Sequence, residues 1–174
     1  MTNRLKELRK EIKSLSSPEV SKTMQWFFKT GKGEYGEGDI FIGLKVPTQR
    51  KLAGEFRDLS LTDLKILLNS TVHEERLISL FILVDKYGRG DEKEKETIFS
   101  FYLKNRRGIN NWDLVDLSAP KIIGKHLLKK DKSLLFKFAL SLVLLLLPVG
   151  AALLVELLRK PRERAWTVHR NTAL

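Results

Sequence analysis

The sequence predicts an all-α fold of short helices stacked in pairs, the logic of an α-solenoid. Three observations carry this expectation. Apolar residues recur at helical spacing through most of the chain. Capping signals open one short helix after another. No heptad run is long enough for a coiled coil, and the single apolar stretch with strand character has no partner strand.

The elements follow in order. Leu5, Leu8, Ile12 and Leu15 form the first stripe. Ser17-Pro18 reads as an N-cap followed by proline at the first helical position. Val20, Met24 and Phe27 form the next stripe. "TGKGEYGEGD", Thr30 to Asp39, holds four glycines and breaks the helix. "IFIGLKVP" then reads as an extended lead-in to a helix from about Thr48 to Phe56, with Val46 biased towards extended geometry by Pro47. Ser60 with Asp63 signals a helix start before Leu64, Ile66, Leu67 and Leu68. Leu77, Leu80, Phe81 and Val84 mark a helix expected to stop at Tyr87-Gly88. Another begins near Asp91 and carries Ile98, Phe101 and Tyr102, and the next opens at Asn110 or Asn111. Two more are expected over Pro120 to Leu128 and from Lys132 onward.

A chain of 174 residues fits one domain, and 43% hydrophobic content allows a sizeable core. The formal net charge of +11 favours an anionic partner, nucleic acid first and an anionic membrane surface second. A merely solvated surface is the plainer alternative. The chain has no cysteine, which excludes disulfides and thiolate chemistry and fits a cytoplasmic location. "MTNRLKELRKEIKSL" has no apolar core of the kind a secretory signal needs. His73, His126 and His169 lack metal-ligand spacing and read as surface or cap residues; no metal and no cofactor is expected.

One stretch asks for chemistry. In "GINNWDLVDLSAP" a helix capped by Asn110 or Asn111 places Trp112 and Asp116 on one face, at i and i+4. Asp113 falls in the first turn, where a carboxylate favours the helix dipole, and reads as a helix-start residue. Asp116 lies in the helix body between Val115 and Leu117, where partial desolvation is expected. From Lys104 to Lys137 there are nine Lys and Arg against three Asp. Two readings stay open on these residues alone. Either Trp112 is core and Asp116 pairs with a neighbouring cation, or the two form a functional pair.

"NNWDLVDLSAPKIIG", "GEYGEGDIFIGLKVPTQRKLA" and "HEERLISLFILVDKY" together resemble the DNA alkylation repair family, the AlkD-like alkylpurine DNA glycosylases. The resemblance runs in order to about Leu140. It implies an α-α superhelix of HEAT-like (ARM-type) repeats, truncated in this chain, with a basic concave face that holds duplex DNA. It implies excision of cationic N3- and N7-alkylated purines without flipping the base into a deep pocket. Carried over by position, Trp112 and Asp116 match the family's catalytic Trp and Asp. The family's aromatic contact on the second helix falls at or beside Phe27; some members have Tyr there, so a role needing the hydroxyl does not transfer.

This chemistry accounts for an acid inside a basic surface. An alkylated purine already carries positive charge, so its departure needs little protonation. Positive charge growing on the deoxyribose needs a fixed carboxylate, which can also orient water. A tryptophan face can hold the cationic nucleotide. Lys104, Arg106, Arg107 and Lys121 are candidate phosphate contacts. Lys32 and Tyr35 on the glycine-rich loop are candidates too, with a plain linker as the alternative; the loop lacks the GK[ST] ending of a P-loop. "DEKEKE", Asp91 to Glu96, reads as a solvated helix start. The resemblance thus implies duplex DNA with alkylated bases as the partner, and the protein is expected to be a monomer.

The expected division is a helical-repeat domain over residues 1–140 and an atypical tail over 141–174. Phe138 to Val155 has eighteen residues without a charge, and a basic segment follows. The resemblance would continue with a Trp- and Arg-bearing helix whose basic residue faces the catalytic Asp. No Arg or Lys lies between Lys137 and Arg159 to take that place. A truncated or frame-shifted end, an apolar helix capping the stack, and a membrane span remain open. A non-catalytic basic helical-repeat module that binds nucleic acid or protein is the alternative function.

Overall fold

The computed structural model describes residues 2–128 and residue 133. Residues 2–128 belong to a unit spanning Met1–Lys130. The expected boundary at residue 140 and the readings of the tail lie outside the described residues, as do His169 and the helix expected from Lys132 onward.

The chain folds as helices, with no strand among the described residues. They are α1 (Asn3–Ser14), α2 (Pro18–Phe27), α3 (Val46–Glu55), α4 (Leu61–Leu68), α5 (His73–Arg89), α6 (Glu92–Lys104), α7 (Trp112–Ala119) and α8 (Lys125–Leu127). A 3₁₀ turn, Arg106–Gly108, precedes α7. Ile40 to Lys45 is non-helical and makes one isolated parallel bridge, Ile40 to Val72. Val46, expected to be extended before Pro47, is instead the first residue of α3, where the helix N-terminus tolerates the proline that follows, so α3 starts two residues before the expected Thr48.

The caps explain where the helices start. Ser17 Oγ accepts from the Val20 N–H, with Pro18 at the first helical position. Ser60 Oγ accepts from Asp63 N–H. Asp91 and Glu94 form a reciprocal capping box that opens α6. Asn111 caps α7.

Leu77 to Leu83 are buried on every side, which makes α5 the central helix. It packs against α3, α4, α6 and α7. Contacts of α3 with α5 and of α5 with α7 place every second helix on the next, an order compatible with stacked pairs. Leu5, Leu8 and Ile12 of α1 and Leu64, Leu67 and Leu68 of α4 complete much of the core.

Three further expectations change. The central helix continues past Tyr87-Gly88 to Arg89. The helix expected from Pro120 is no separate element: α7 continues through a π-helical segment, Pro120–Gly124, into α8. Pro120 has no N–H to give the carbonyl of Asp116 four residues earlier, and its ring would crowd that carbonyl. Local widening of the helix relieves both problems. The histidines differ as well. His73 and His126 are buried, not surface residues. The His126 ring stacks on Phe99 at 3.9 Å, and its Nδ1 is 3.2 Å from the Tyr87 hydroxyl.

Candidate functional site

Trp112 and Asp116 share one face of α7, and the structure surrounds Trp112 with aromatic rings. Its indole stacks on Phe28 at 5.4 Å and meets the Phe27 edge at 6.1 Å. Its Nε1–H donates to the Tyr35 hydroxyl at 3.3 Å. Trp112 nevertheless remains 47% exposed. It is therefore neither core nor isolated on the surface. Phe28 supports it from below and stacks in turn on Phe41 at 4.7 Å.

Asp116 is exposed, which corrects the expected partial desolvation. The helix turns Val115 and Asp116 outward and leaves Leu114 and Ser118 to face the interior. Among the described residues no cation forms an ion pair with Asp116, so that alternative reading does not hold there.

Asp113 does more than favour the helix dipole. It is buried, and its Oδ2 lies 2.8 Å from His73 Nε2. The other ring nitrogen, Nδ1, lies 3.2 Å from Asp39 Oδ2. Arg76 forms an ion pair with the same Asp39 oxygen at 2.7 Å, and Asn111 Nδ2 donates to it at 3.4 Å. Burial pushes the Asp39 carboxyl up, but the hydrogen bonds from His73 and Arg76, the Arg76 charge and Asn111 outweigh it and hold the group at about 2. Burial likewise pulls the His73 imidazole down; its hydrogen bonds to Asp113 and Asp39 prevail and raise it above its ordinary value.

The glycine-rich loop is thus not a plain linker. Its turns are closed by its own carboxylates: Glu34 accepts from Gly31 N–H at 2.7 Å and Glu37 from Gly33 N–H at 2.8 Å. Tyr35 reaches Trp112, and Asp39 enters the buried cluster. Lys32 is exposed on the same loop.

The next residues of α5 fix the segment after that loop. Glu74 is fully buried and accepts from the N–H groups of Ile42 at 3.1 Å, Gly43 at 2.9 Å and Leu44 at 3.3 Å. Gly43 has φ of +87°, and a side chain there would overlap the Ser17 carbonyl. Glu75 forms a two-pronged pair with Arg9 of α1, at 2.9 and 2.8 Å.

Of the sequence-predicted residues, the structure brings Trp112, Phe27 and Tyr35 into one cluster, with Asp116 on the same helix face as Trp112. Lys104, Arg106, Arg107 and Lys121 are exposed before and after α7. Among the described residues no hydrogen bond, ion pair or ring contact joins them to that cluster. Sequence reasoning missed Asp39, His73, Glu74, Arg76 and the supporting ring of Phe28. One signal pointed to the first turn of α5. "HEER" runs directly into "LISLFIL", and a helix apolar all round places its preceding turn in the interior too. It also missed Trp26, 73% exposed beside Phe27, with Lys29 Nζ 5.1 Å from its ring centroid.

The site is an open face. A separate groove of about 620 Å³ is lined by residues including Lys86, Arg89 and Lys93, and it touches none of the Trp112 cluster. Among the described residues no group of three His, Asp or Glu is placed to hold a metal ion, and no helix is long and apolar enough to cross a membrane.

A family model described as DNA alkylation repair enzyme matches residues 8–169. That span contains every residue of the Trp112 cluster and takes in most of the segment after residue 140. Neither the curated proteins nor the solved structures supply a match to the chain. With the family model covering more than half of its length, the chain belongs to the DNA alkylation repair enzyme family.

Proposed function

We propose that this DNA repair protein is an alkylpurine DNA glycosylase, which hydrolyses the N-glycosidic bond of cationic N3- or N7-alkylated purines in duplex DNA. The observation that carries the reading is an exposed acid, Asp116, on the same helix face as a half-exposed Trp112 backed by Phe27, Phe28 and Tyr35.

The chemistry follows from charge. The C1′–N bond breaks and its electron pair neutralises the purinium, so the base leaves uncharged. Positive charge then grows on the deoxyribose. Asp116 stabilises that charge and orients the water whose oxygen bonds to C1′, and the water's proton passes to solvent. Trp112 presents its π face to the cationic nucleotide. Lys104, Arg106, Arg107 and Lys121 hold phosphates, with Phe27, Lys32 and Tyr35 closer to the lesion. An open face suits a duplex, which is too broad for a closed pocket.

Asp116→Asn tests the reading. The amide keeps the shape and removes the charge, so release of 7-methylguanine should slow by about 10²–10³. Duplex affinity and melting temperature should stay at the parent's values, because the side chain is exposed. Asp113→Asn makes the contrast. It removes the charge facing His73 and sets an amide N–H against either His73 Nε2–H or the Leu114 N–H, which should lower stability by on the order of 1–3 kcal/mol. An Asp116→Asn variant as fast as its parent rules out the assigned role. A parent that binds duplex DNA and releases no base would instead indicate a binding module.

A further inference from the structure

The buried histidine is unusual in what it touches. Both ring nitrogens of His73 face carboxylate oxygens, Asp113 at 2.8 Å and Asp39 at 3.2 Å. An ionised carboxylate only accepts, so a ring that satisfies both donates from both nitrogens. The charges then balance: His73 and Arg76 against Asp39 and Asp113. These, with the neutral Asn111, are the polar groups that face the ring from the loop, from α5 and from α7. The remaining faces are aromatic, Phe41 stacked at 4.4 Å and Phe28 at 5.3 Å. Phe28 is also the ring on which Trp112 stacks.

We infer that His73 is a positioning residue of the candidate site: donating from both ring nitrogens, it ties the loop that brings Tyr35 to the Trp112 indole to the first turn of the helix that presents Trp112 and Asp116. The inference rests on the glycosylase reading for its consequence in catalysis, but not for the contact itself. If the ring loses a proton at Nδ1, its bare lone pair faces Asp39 Oδ2. Arg76 Nη2, 2.7 Å from Asp39 and 3.4 Å from Nδ1, has a second N–H that can turn to that lone pair, but the direct tie between His73 and Asp39 is then gone. If it loses the Nε2 proton, Asp113 loses its partner. Either way one of the two ties is released. The raised pKa of His73 places this event above its ordinary value near 6.5.

A cationic purine needs no general acid in order to leave, and Asp116 is needed as a carboxylate. 7-Methylguanine itself loses its N1 proton in mildly alkaline solution and then leaves more slowly, a fall that every variant shares on the same substrate. Only a fall that His73→Gln lacks therefore reports positioning.

The test uses the full chain. The His73 ring and the Trp112 indole N–H are followed by NMR between about pH 5.5 and 9.5, assigned with His73→Gln and Trp112→Phe. Single-turnover release of 7-methylguanine from a duplex is measured over the same range. The Trp112 signal should move with the midpoint of His73. The rate should fall through that midpoint, on the order of 10- to 100-fold. His73→Gln should start from the lower rate, keep only the fall that the substrate itself imposes, and bind the duplex with an affinity near the parent's. A Trp112 signal that ignores the His73 titration overturns the inference, and so does a His73→Gln variant with the parent's rate and profile. If the variant fails to fold, the titration of the parent decides. If Trp112 follows His73 and no base is released, the positioning contact stands and the glycosylase reading falls.

Discussion

Replacing Glu74 by glutamine separates charge from shape at the point where α5 holds the segment behind the aromatic cluster. The carboxylate is fully buried, and its Oε1 accepts from three successive backbone N–H groups, Ile42 to Leu44. Glutamine keeps an acceptor at that oxygen. It also places an amide nitrogen where Oε2 stood, 3.2 Å from the Ile42 nitrogen, so that donor meets donor. Hydrogen bonds to a charged acceptor contribute roughly 1.5–3 kcal/mol, against about 1 for neutral ones. Over three bonds the loss is roughly 1.5–6 kcal/mol, and the relief of a buried charge offsets part of it. A net loss of about 2 kcal/mol should lower the melting temperature by about 4–8 °C for a chain of this size. Glu74→Ala strands all three N–H groups, at roughly 1–3 kcal/mol each, and should prevent stable folding. Thermal unfolding followed by far-UV circular dichroism reads both variants. A glutamine variant that melts with its parent, or an alanine variant no worse than the glutamine one, would refute the assignment of Glu74 as the anchor of this segment.

Gly43→Ala should lose more than about 2 kcal/mol, since φ of +87° disfavours alanine and the new methyl would overlap the Ser17 carbonyl at the start of α2; an unchanged denaturation midpoint would contradict this. Duplex affinity should fall steeply with salt, and reversing Arg106 and Arg107 to Glu should lower the slope of log affinity against log salt by about 2; an unaltered slope would place the DNA face elsewhere. Stability should fall at both ends of the pH range. Asp39 is held at about 2 against 3.8 in the open chain, so its contribution is present above 3.8 and lost as pH drops towards 2; His73 is raised, so its contribution is full below 6.5 and lost as pH climbs through its folded value. Urea denaturation across pH checks this, and an alkaline loss that survives in His73→Gln would assign it to another group.

The caps were the most legible part of the sequence. Ser17, Ser60, Asp91 and Asn111 act through neighbours one to three residues away, so a local reading suffices. The pairing of Trp112 with Asp116 on one face was legible for the same reason. What was not legible depends on partners far along the chain. His73 is joined to a loop 34 residues before it and a helix 40 residues after it, and no local pattern shows that. The exposure of Asp116 is also tertiary: a carboxylate flanked by Val115 and Leu117 reads as half-buried until Val115 proves exposed as well. The continuation of α7 past Pro120 escaped because proline normally signals a boundary. Here a π-helical segment absorbs it without ending the helix.

Asp113 and Asp116 stand three residues apart on α7, and their opposite circumstances follow from what each faces. Three residues advance the helix by about 4.5 Å and leave the two side chains roughly 60° apart. That is enough to aim Asp113 at His73 and Asp116 at solvent. A buried carboxylate has to be neutralised by partners that hydrogen-bond it, and its field outside the protein is then small. An exposed carboxylate without an ion-pair partner keeps its field. Exposed Lys104, Arg106, Arg107 and Lys121 lie before and after it along the chain, yet no ion pair among the described residues cancels it. If Asp113 were the catalytic group, His73 would already have claimed the charge that the sugar cation needs. The division of roles therefore rests on pairing as well as position. It implies that giving Asp116 a cation of its own, by placing a lysine at Ala119 one turn further along α7 for instance, should slow base release even though the acid remains in place. A variant of that kind that releases base as fast as its parent, with the new ion pair demonstrated, would show that the free field of Asp116 is not what the reaction uses.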